Sequence, residues 1–415
     1  MYTGIRVRVL PAILSLAALS TAAGWGEDSA PAQLPGKVVE IARGHSWVSP
    51  YWGYNTPKIV CDDAKYFTAG LWGDKPETAE GVVYAYDGKS WRDAAHLPGI
   101  YQPATLAIDS AGRLIVAYTR SGMPVRITRS KTPGNPDDFE DLPFPGDMTN
   151  AYYIGIAIHA DTLFLAYIST PDYTMYLARL DLKELTWSPS FVMRKGQVSQ
   201  SPKTAWTYPI LWPTDQGLHV VASNAPDGGD GNTYNEIWYQ FYPNSASKPS
   251  IEEKAAESTV GNFAFAMDAV VDDAGAPHIL HMWNAHKYGA MPAPDAPAPG
   301  TYHTYRDAAS GKWNHIKLAD TGYAGFYVQG KKLYAVLQQN GTLALREWQG
   351  PASGWKALPP LCDAKAMPAA SSFMDVISVS SGSKPRGFAV VSDGLLPAVK
   401  DEPQVRVLWA VLPAD

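Results

Sequence analysis

"GIYQPATLAIDSAGRLIVAYTRS" (residues 99–121) decides the fold. It reads as a strand over 104–108, a turn from Asp109 to Gly112, and a second strand over 114–119. A glycine-bearing turn between two apolar runs signals a hairpin, because glycine takes the left-handed backbone that a tight reversal needs. The same unit returns along the chain. "AVVDDAGAPHILHMWN" (269–284) repeats it closely, and "ILWPTDQGLHVVASN" (210–224) keeps its form. Looser copies are "IVCDDAKYFTAGLWG" (59–73), "IGIAIHADTLFLAYIS" (154–169), "FYVQGKKLYAVLQQN" (326–340) and "VISVSSGSKPRGFAVVSD" (376–393).

A second kind of hairpin follows most of these and carries Trp after a polar turn. Examples are "VVYAYDGKSWRDAAHL" (82–97), "MYLARLDLKELTWSPSFV" (175–192), "YHTYRDAASGKWNHIKL" (302–318) and "LALREWQGPASGWKALPPL" (343–361). Such a Trp is expected to bury its indole between neighbouring sheets. Two hairpins make a four-stranded unit of roughly 40–55 residues, and seven such units imply an all-β, seven-bladed β-propeller. The C-terminal unit offers three strands, ending in "QVRVLWAVLP" (404–413). Its missing outer strand is expected from "KVVEIARG" (37–44), which removes an exposed sheet edge. The Pro- and Ala-rich "GAMPAPDAPAPG" (289–300) reads as a loop within the fifth blade.

Composition agrees with many short strands. The 415 residues include 35 Gly, 34 Pro, 14 Trp and 23 Tyr, and few windows show helical amphipathicity. A net charge of -6 speaks against a nucleic-acid binder, which would carry a basic stripe. The N-terminus has two arginines, an apolar run over 9–19 and small residues over 20–24. That is the pattern of a secretory signal peptide, residues 1–24. The remaining 25–415 are expected to form a single domain, a secreted or periplasmic monomer with no membrane span. Cys61 and Cys362 fall toward opposite faces of this arrangement, so no disulfide is expected between them.

In a propeller the residues ahead of each first strand, and those after each second strand, meet at one mouth. Ahead of the seven first strands stand "YNTP" (54–57), "YQPA" (101–104), "YYIG" (152–155), "TYPI" (207–210), "FAMD" (265–268), "GYAG" (322–325) and "SFMD" (372–375). An aromatic with polar company recurs. Tyr54, Asn55, Tyr101, Gln102, Tyr153, Tyr208, Asp268, Tyr323 and Asp375 therefore form a candidate rim. Sugar rings suit it, stacking their C–H faces on aromatics while their hydroxyls find polar groups. The loops after the second strands add Trp72, Lys75, Arg120, Asn224, Asp227, Trp283 and Asn284. His281 and His286 lie there too and are candidates for proton transfer, since imidazole titrates near neutrality. The run "DGGDGN" (227–232) carries oxygen ligands that would suit a structural calcium, but lacks the full calcium-loop pattern. No cofactor or catalytic metal is expected.

"YQPATLAIDSAGRLIVAYTRS", "MDAVVDDAGAPHILHMWN" and "YHTYRDAASGKWNHIKL" together resemble secreted bacterial BNR-repeat propellers. That group includes sialidase-like proteins and seven-bladed lyases acting on ulvan-type uronic-acid polymers. The lyase resemblance implies proton abstraction beside a uronate carboxylate by His and Tyr, with a basic side chain neutralising the carboxylate. Tyr208 matches the tyrosine of that pattern. Asn224 stands where its arginine would, and Tyr101–Gln102 where a histidine would. Arg120 and Lys75 are the remaining basic candidates, too few for a sialidase arginine triad. The expected function is a polysaccharide lyase or glycosidase, the latter needing two facing carboxylates such as Asp268, Asp375 or Asp227. The alternative is a propeller that binds glycan or protein without catalysis.

Overall fold

The computed structural model describes residues 38–44, 46, 58–62, 65–73, 75, 78–87, 89–100, 102–119, 124–144, 151–170, 172–199, 204–225, 235–244, 246–258, 262–286, 297–320, 322–339, 342–361, 377–379, 388–394 and 405–411. They form seven four-stranded antiparallel sheets. The first holds β2 (Ile59–Asp62), β3 (Lys65–Trp72), β4 (Glu80–Tyr86) and β5 (Trp91–Pro98). The second holds β6 (Thr105–Ile108), β7 (Leu114–Tyr118), β8 (Arg126–Ser130) and β9 (Phe139–Asp141). In the third are β10 (Ala151–His159), β11 (Thr162–Ser169), β12 (Thr174–Asp181) and β13 (Thr186–Arg194). The fourth comprises β14 (Ala205–Thr214), β15 (Gly217–Ala225), β16 (Glu236–Pro243) and β17 (Ile251–Glu257). The fifth comprises β18 (Asn262–Val271), β19 (Pro277–His286), β20 (Gly300–Arg306) and β21 (Trp313–Ala319). The sixth is β22 (Ala324–Gln329), β23 (Lys332–Gln339), β24 (Thr342–Trp348) and β25 (Trp355–Leu358). The last combines both chain ends: β1 (Val38–Gly44) pairs with β28 (Val405–Val411), followed by β27 (Phe388–Gly394) and β26 (Ile377–Val379).

First strands touch in succession, β2 to β6, β10, β14, β18, β22 and β26, and β2 also meets β27. Burial falls from inside outward. Every residue of β7 and β15 is buried, whereas most residues of the fourth strands β5, β13 and β17 are half-buried or exposed. Hence the inner strands read as unbroken apolar runs, being packed on both faces, and the outer ones do not.

The Asp-x-Ala-Gly turns are built alike. Asp109 Oδ1 accepts the amides of Ala111 and Arg113, and Asp272 Oδ1 those of Ala274 and Ala276. Gly112 (φ 78°) and Gly275 (φ 80°) supply the left-handed residue. Three of the second-hairpin tryptophans do more than fill space, because their indole N–H groups reach the preceding sheet. Trp187 donates to Pro143 O, Trp313 to Glu253 Oε2 and Trp355 to His303 Nδ1. With its Nδ1 so occupied, His303 turns Nε2–H to His278 Nδ1 at 2.8 Å.

Trp72 takes a similar structural part. A Cβ on Gly44 or Gly70 would come within 3.0 or 3.1 Å of its indole, so these glycines let the ring lie between β1 and β3. Cys61 is buried in β2, and Cys362 lies outside the described residues. No helix among the described residues is long and apolar enough to cross a membrane. Residues 1–24 also lie outside them.

Candidate functional site

First strands begin, and second strands end, on one face of the sheets. Three neighbouring first strands break register there. The shifts fall between Ala151 and Ile154 in β10, Thr207 and Ile210 in β14, and Ala266 and Asp268 in β18. Each is a bulge, which leaves residues out of the ladder and re-aims their side chains. In β10 Tyr152 and Tyr153 stand against the single Ile168, and in β14 Tyr208 and Pro209 against the single Ala222. The rings meet across the two sheets: Tyr153 and Tyr208 have centroids 4.4 Å apart, and Tyr152 and Tyr153 4.5 Å. A Cβ on Gly155 would lie 2.4 Å from Pro209 O, so only glycine lets β10 approach the bulge this closely.

The backbone at this junction is strained. Tyr208 has φ 51° and Tyr173, in the loop after β11, has φ 57°. Left-handed φ is costly for a bulky residue and persists where surrounding structure enforces it. Tyr173 O accepts the amide of Trp206, the second residue of β14, so both strained tyrosines belong to one junction.

Polar groups stand opposite Trp206, two residues before Tyr208 in β14. Asn224, at the end of β15, is 4 % exposed and donates Nδ2–H to Glu236 Oε2 at 2.7 Å. The same carboxylate oxygen accepts Trp238 Nε1–H at 2.8 Å, and Oε1 pairs with Lys254 at 2.6 Å. Burial pushes the Glu236 carboxyl up, but the bonds from Lys254, Trp238 and Asn224 outweigh it and hold it below the ordinary range. Behind them the Arg194 guanidinium lies between Trp206 (4.3 Å) and Trp238 (4.4 Å) and pairs with Glu252. Several buried polar atoms on this face have no protein partner: Asn224 Oδ1, Gln102 Nε2, and both Nε2 and Oε1 of Gln338. Such atoms in a native fold call for an explanation, a ligand site among them.

The other expected residues separate. His281 is a correction: it is 0 % exposed, with Nδ1 near Met282 O (3.1 Å) and Nε2 bonded to Thr304 Oγ1 (2.6 Å). Burial lowers its pKa to about 3, so it is a neutral tie between β19 and β20, out of a polymer's reach. Trp283 is also turned inward, its N–H given to Glu257 O and its ring set edge-on to Tyr302. Asp268 spends Oδ1 on the amide of Ala269 and Oδ2 on that of Phe326, and so ties β18 to β22. Burial outweighs those bonds and raises its pKa to about 7. Tyr323 is buried near Phe265, and Lys75 is exposed beyond β3. Tyr54, Asn55, Tyr101, Arg120, Asp227 and Asp375 lie outside the described residues, as do the side chains of Asn284 and His286. Asp227 carries the calcium expectation with it. Among the described residues no group of three or more His, Cys, Asp or Glu is placed to hold a metal.

Two residues of this face escaped the sequence. Lys58 immediately precedes β2, is 1 % exposed, and points Nζ toward Ala104 O of the next sheet at 3.5 Å. Burial lowers its pKa to about 7. Its signal was its position: "YNTP" stops one residue short of it. Gln338, the last residue but one of β23, follows the apolar stretch 333–337 and gave no signal.

No family model matches the sequence, and no curated protein matches it. Solved structures do. An ulvan lyase of polysaccharide lyase family PL25 superposes with a TM-score of 0.63 over 89 % of this chain and 94 % of its own, at 11 % identity. The fold is a β-propeller. The same figures hold for an ulvan lyase of that family bound to -[GlcA(1-4)Rha3S]-. Polysaccharide lyase Uly1 gives a TM-score of 0.58 over 89 % of this chain and 92 % of its own, also at 11 % identity. At this identity the likeness extends to the fold of the propeller.

Proposed function

We propose that the protein is a secreted, seven-bladed propeller, closed by β1, that binds polysaccharide at the mouth of its channel and cleaves it as a lyase. The junction of the third and fourth sheets is the reacting centre. The observation that carries this reading is the strained Tyr208, set on a bulge against Tyr153 in the same ladder as Asn224 with its unpartnered Oδ1. Strain of this kind clusters at working sites. Tyr153 and Tyr208 are buried, 7 % and 3 % exposed, so sugar would meet their edges rather than their faces, and a phenol hydroxyl there can both take and return a proton. In β-elimination a base removes the proton beside the uronate carboxylate, the C–O bond to the next sugar breaks, and the leaving oxygen is protonated. Tyr208 serves both ends when the two groups share one face of the ring. The basic group facing the carboxylate would be Arg120 or Lys75, as the lyase resemblance implies. The propellers that this chain resembles in fold are ulvan lyases, and this favours a uronic-acid polymer.

A non-catalytic glycan-binding propeller is the second reading. It is favoured by Asn224, which stands where the lyase pattern has a cation. The two separate in a depolymerisation assay of the mature protein on uronic-acid and neutral polysaccharides. The lyase reading predicts new ultraviolet absorbance from unsaturated ends. Reducing ends without that absorbance would mean a hydrolase, and binding with neither would mean the second reading.

A further inference from the structure

Asn224 carries a polarity that its sequence position does not reveal. An ionised carboxylate only accepts hydrogen bonds, so the Glu236 oxygen 2.7 Å away settles which end of the Asn224 amide faces it. That end is Nδ2. Glu236 is itself held by Lys254 on one oxygen and Trp238 on the other, which leaves the amide no reason to turn over. What remains is Oδ1, an acceptor on a side chain 4 % exposed and without a partner. Asn224 lies opposite Trp206 in the β14–β15 ladder, two residues from the bulge that carries Tyr208. A lone carbonyl oxygen in this place repels a carboxylate or sulfate and accepts from a hydroxyl.

We propose that Asn224, positioned by Glu236 and Lys254, reads an uncharged sugar hydroxyl beside Tyr208 and turns anionic groups away from that point. The inference rests on the polysaccharide reading above. It adds that the ring on the Asn224 side of Tyr208 is neutral, with the uronate that gives up its proton, and its carboxylate, on the other side of the Tyr208 hydroxyl. Lys254 and Glu236 act through Asn224 and are positioning residues.

Binding of ulvan, and of ulvan carboxyl-reduced and desulfated, to wild type, Asn224→Leu and Lys254→Met tests this, with urea unfolding alongside. Asn224→Leu is expected to weaken binding of both polymers to the same degree, about 10- to 100-fold, while the protein stays fully folded in the absence of urea. In Lys254→Met, Glu236 loses its counter-charge and takes up a proton nearer neutrality, so binding acquires a pH dependence that wild type lacks. Should Asn224→Leu fail to fold, this pH profile decides alone. A loss confined to the native, charged polymer would show that the site reads an anion, and would overturn the inference. Unchanged affinity in Asn224→Leu would overturn it too, while leaving the polysaccharide reading intact. Absence of wild-type binding to either polymer would remove both.

Discussion

Gln338 has both amide atoms buried and unpartnered, a burden to the folded chain that no neighbour relieves. Replacing it by leucine removes that burden at similar volume. Gln338→Leu is therefore expected to stabilise the protein by about 1 kcal/mol, read as a higher urea midpoint; a lower midpoint would show that the amide is structurally engaged. Lys58 poses the opposite problem, a cation taken out of water. Its folded pKa, about 7, lies below the ordinary lysine value of 10.5. Between these two values the unfolded chain holds more protons than the folded one, so stability rises with pH across that window. Below about 7 both states are protonated and the cost of burial is complete. Lys58→Met is expected to gain more stability over wild type at pH 6 than at pH 10, by denaturant midpoints at both. An equal gain at both would mean that the amine is not desolvated. Sequence marked Tyr153 and Tyr208 as aromatics ahead of a strand, whereas they lie inside β10 and β14 and are buried. It could not show that His281 is sealed between Thr304 and Met282, since burial depends on the neighbouring strand.

Strands and hairpins were the most legible elements, and the reason is chemical. Asp109 and Asp272 cap their turns through the same pair of backbone amides, and each turn has its glycine at positive φ. These are local interactions, so they are written locally. The Trp hairpins were legible as hairpins, but their tryptophans are half-buried rather than buried, and the indole bonds to the preceding sheet needed the structure. Bulges left no trace. A mostly buried strand shows no alternation, and one extra residue in β10 or β14 breaks no visible pattern. Gly155 is the one mark they leave, and its meaning emerges only against Pro209. Gly155→Ala is expected to force β10 away from β14 at a cost of about 1–3 kcal/mol, with a change in near-ultraviolet circular dichroism as the Tyr153–Tyr208 pair shifts. A variant with wild-type stability and spectrum would show that the junction can yield.

Across the whole molecule, the pairing of the two chain ends was readable because a unit with three strands needs a fourth. The observed β1–β28 ladder meets that need. Deleting residues 38–44 uncovers the edge of β28, and the truncated protein is expected to unfold at lower urea and to self-associate, measured by light scattering. A monomer of unchanged stability would mean that β1 is dispensable. Chemistry was the least legible level, because the mouth assembles side chains from strands far apart in sequence, and the pattern specifies where they meet more than what they do. The most direct test of the account compares wild type with Tyr208→Phe on a uronic-acid polysaccharide, following unsaturated ends and binding together. The account predicts that the variant binds the polymer but releases at least about 100-fold less unsaturated product. Cleavage by Tyr208→Phe at the wild-type rate would contradict it.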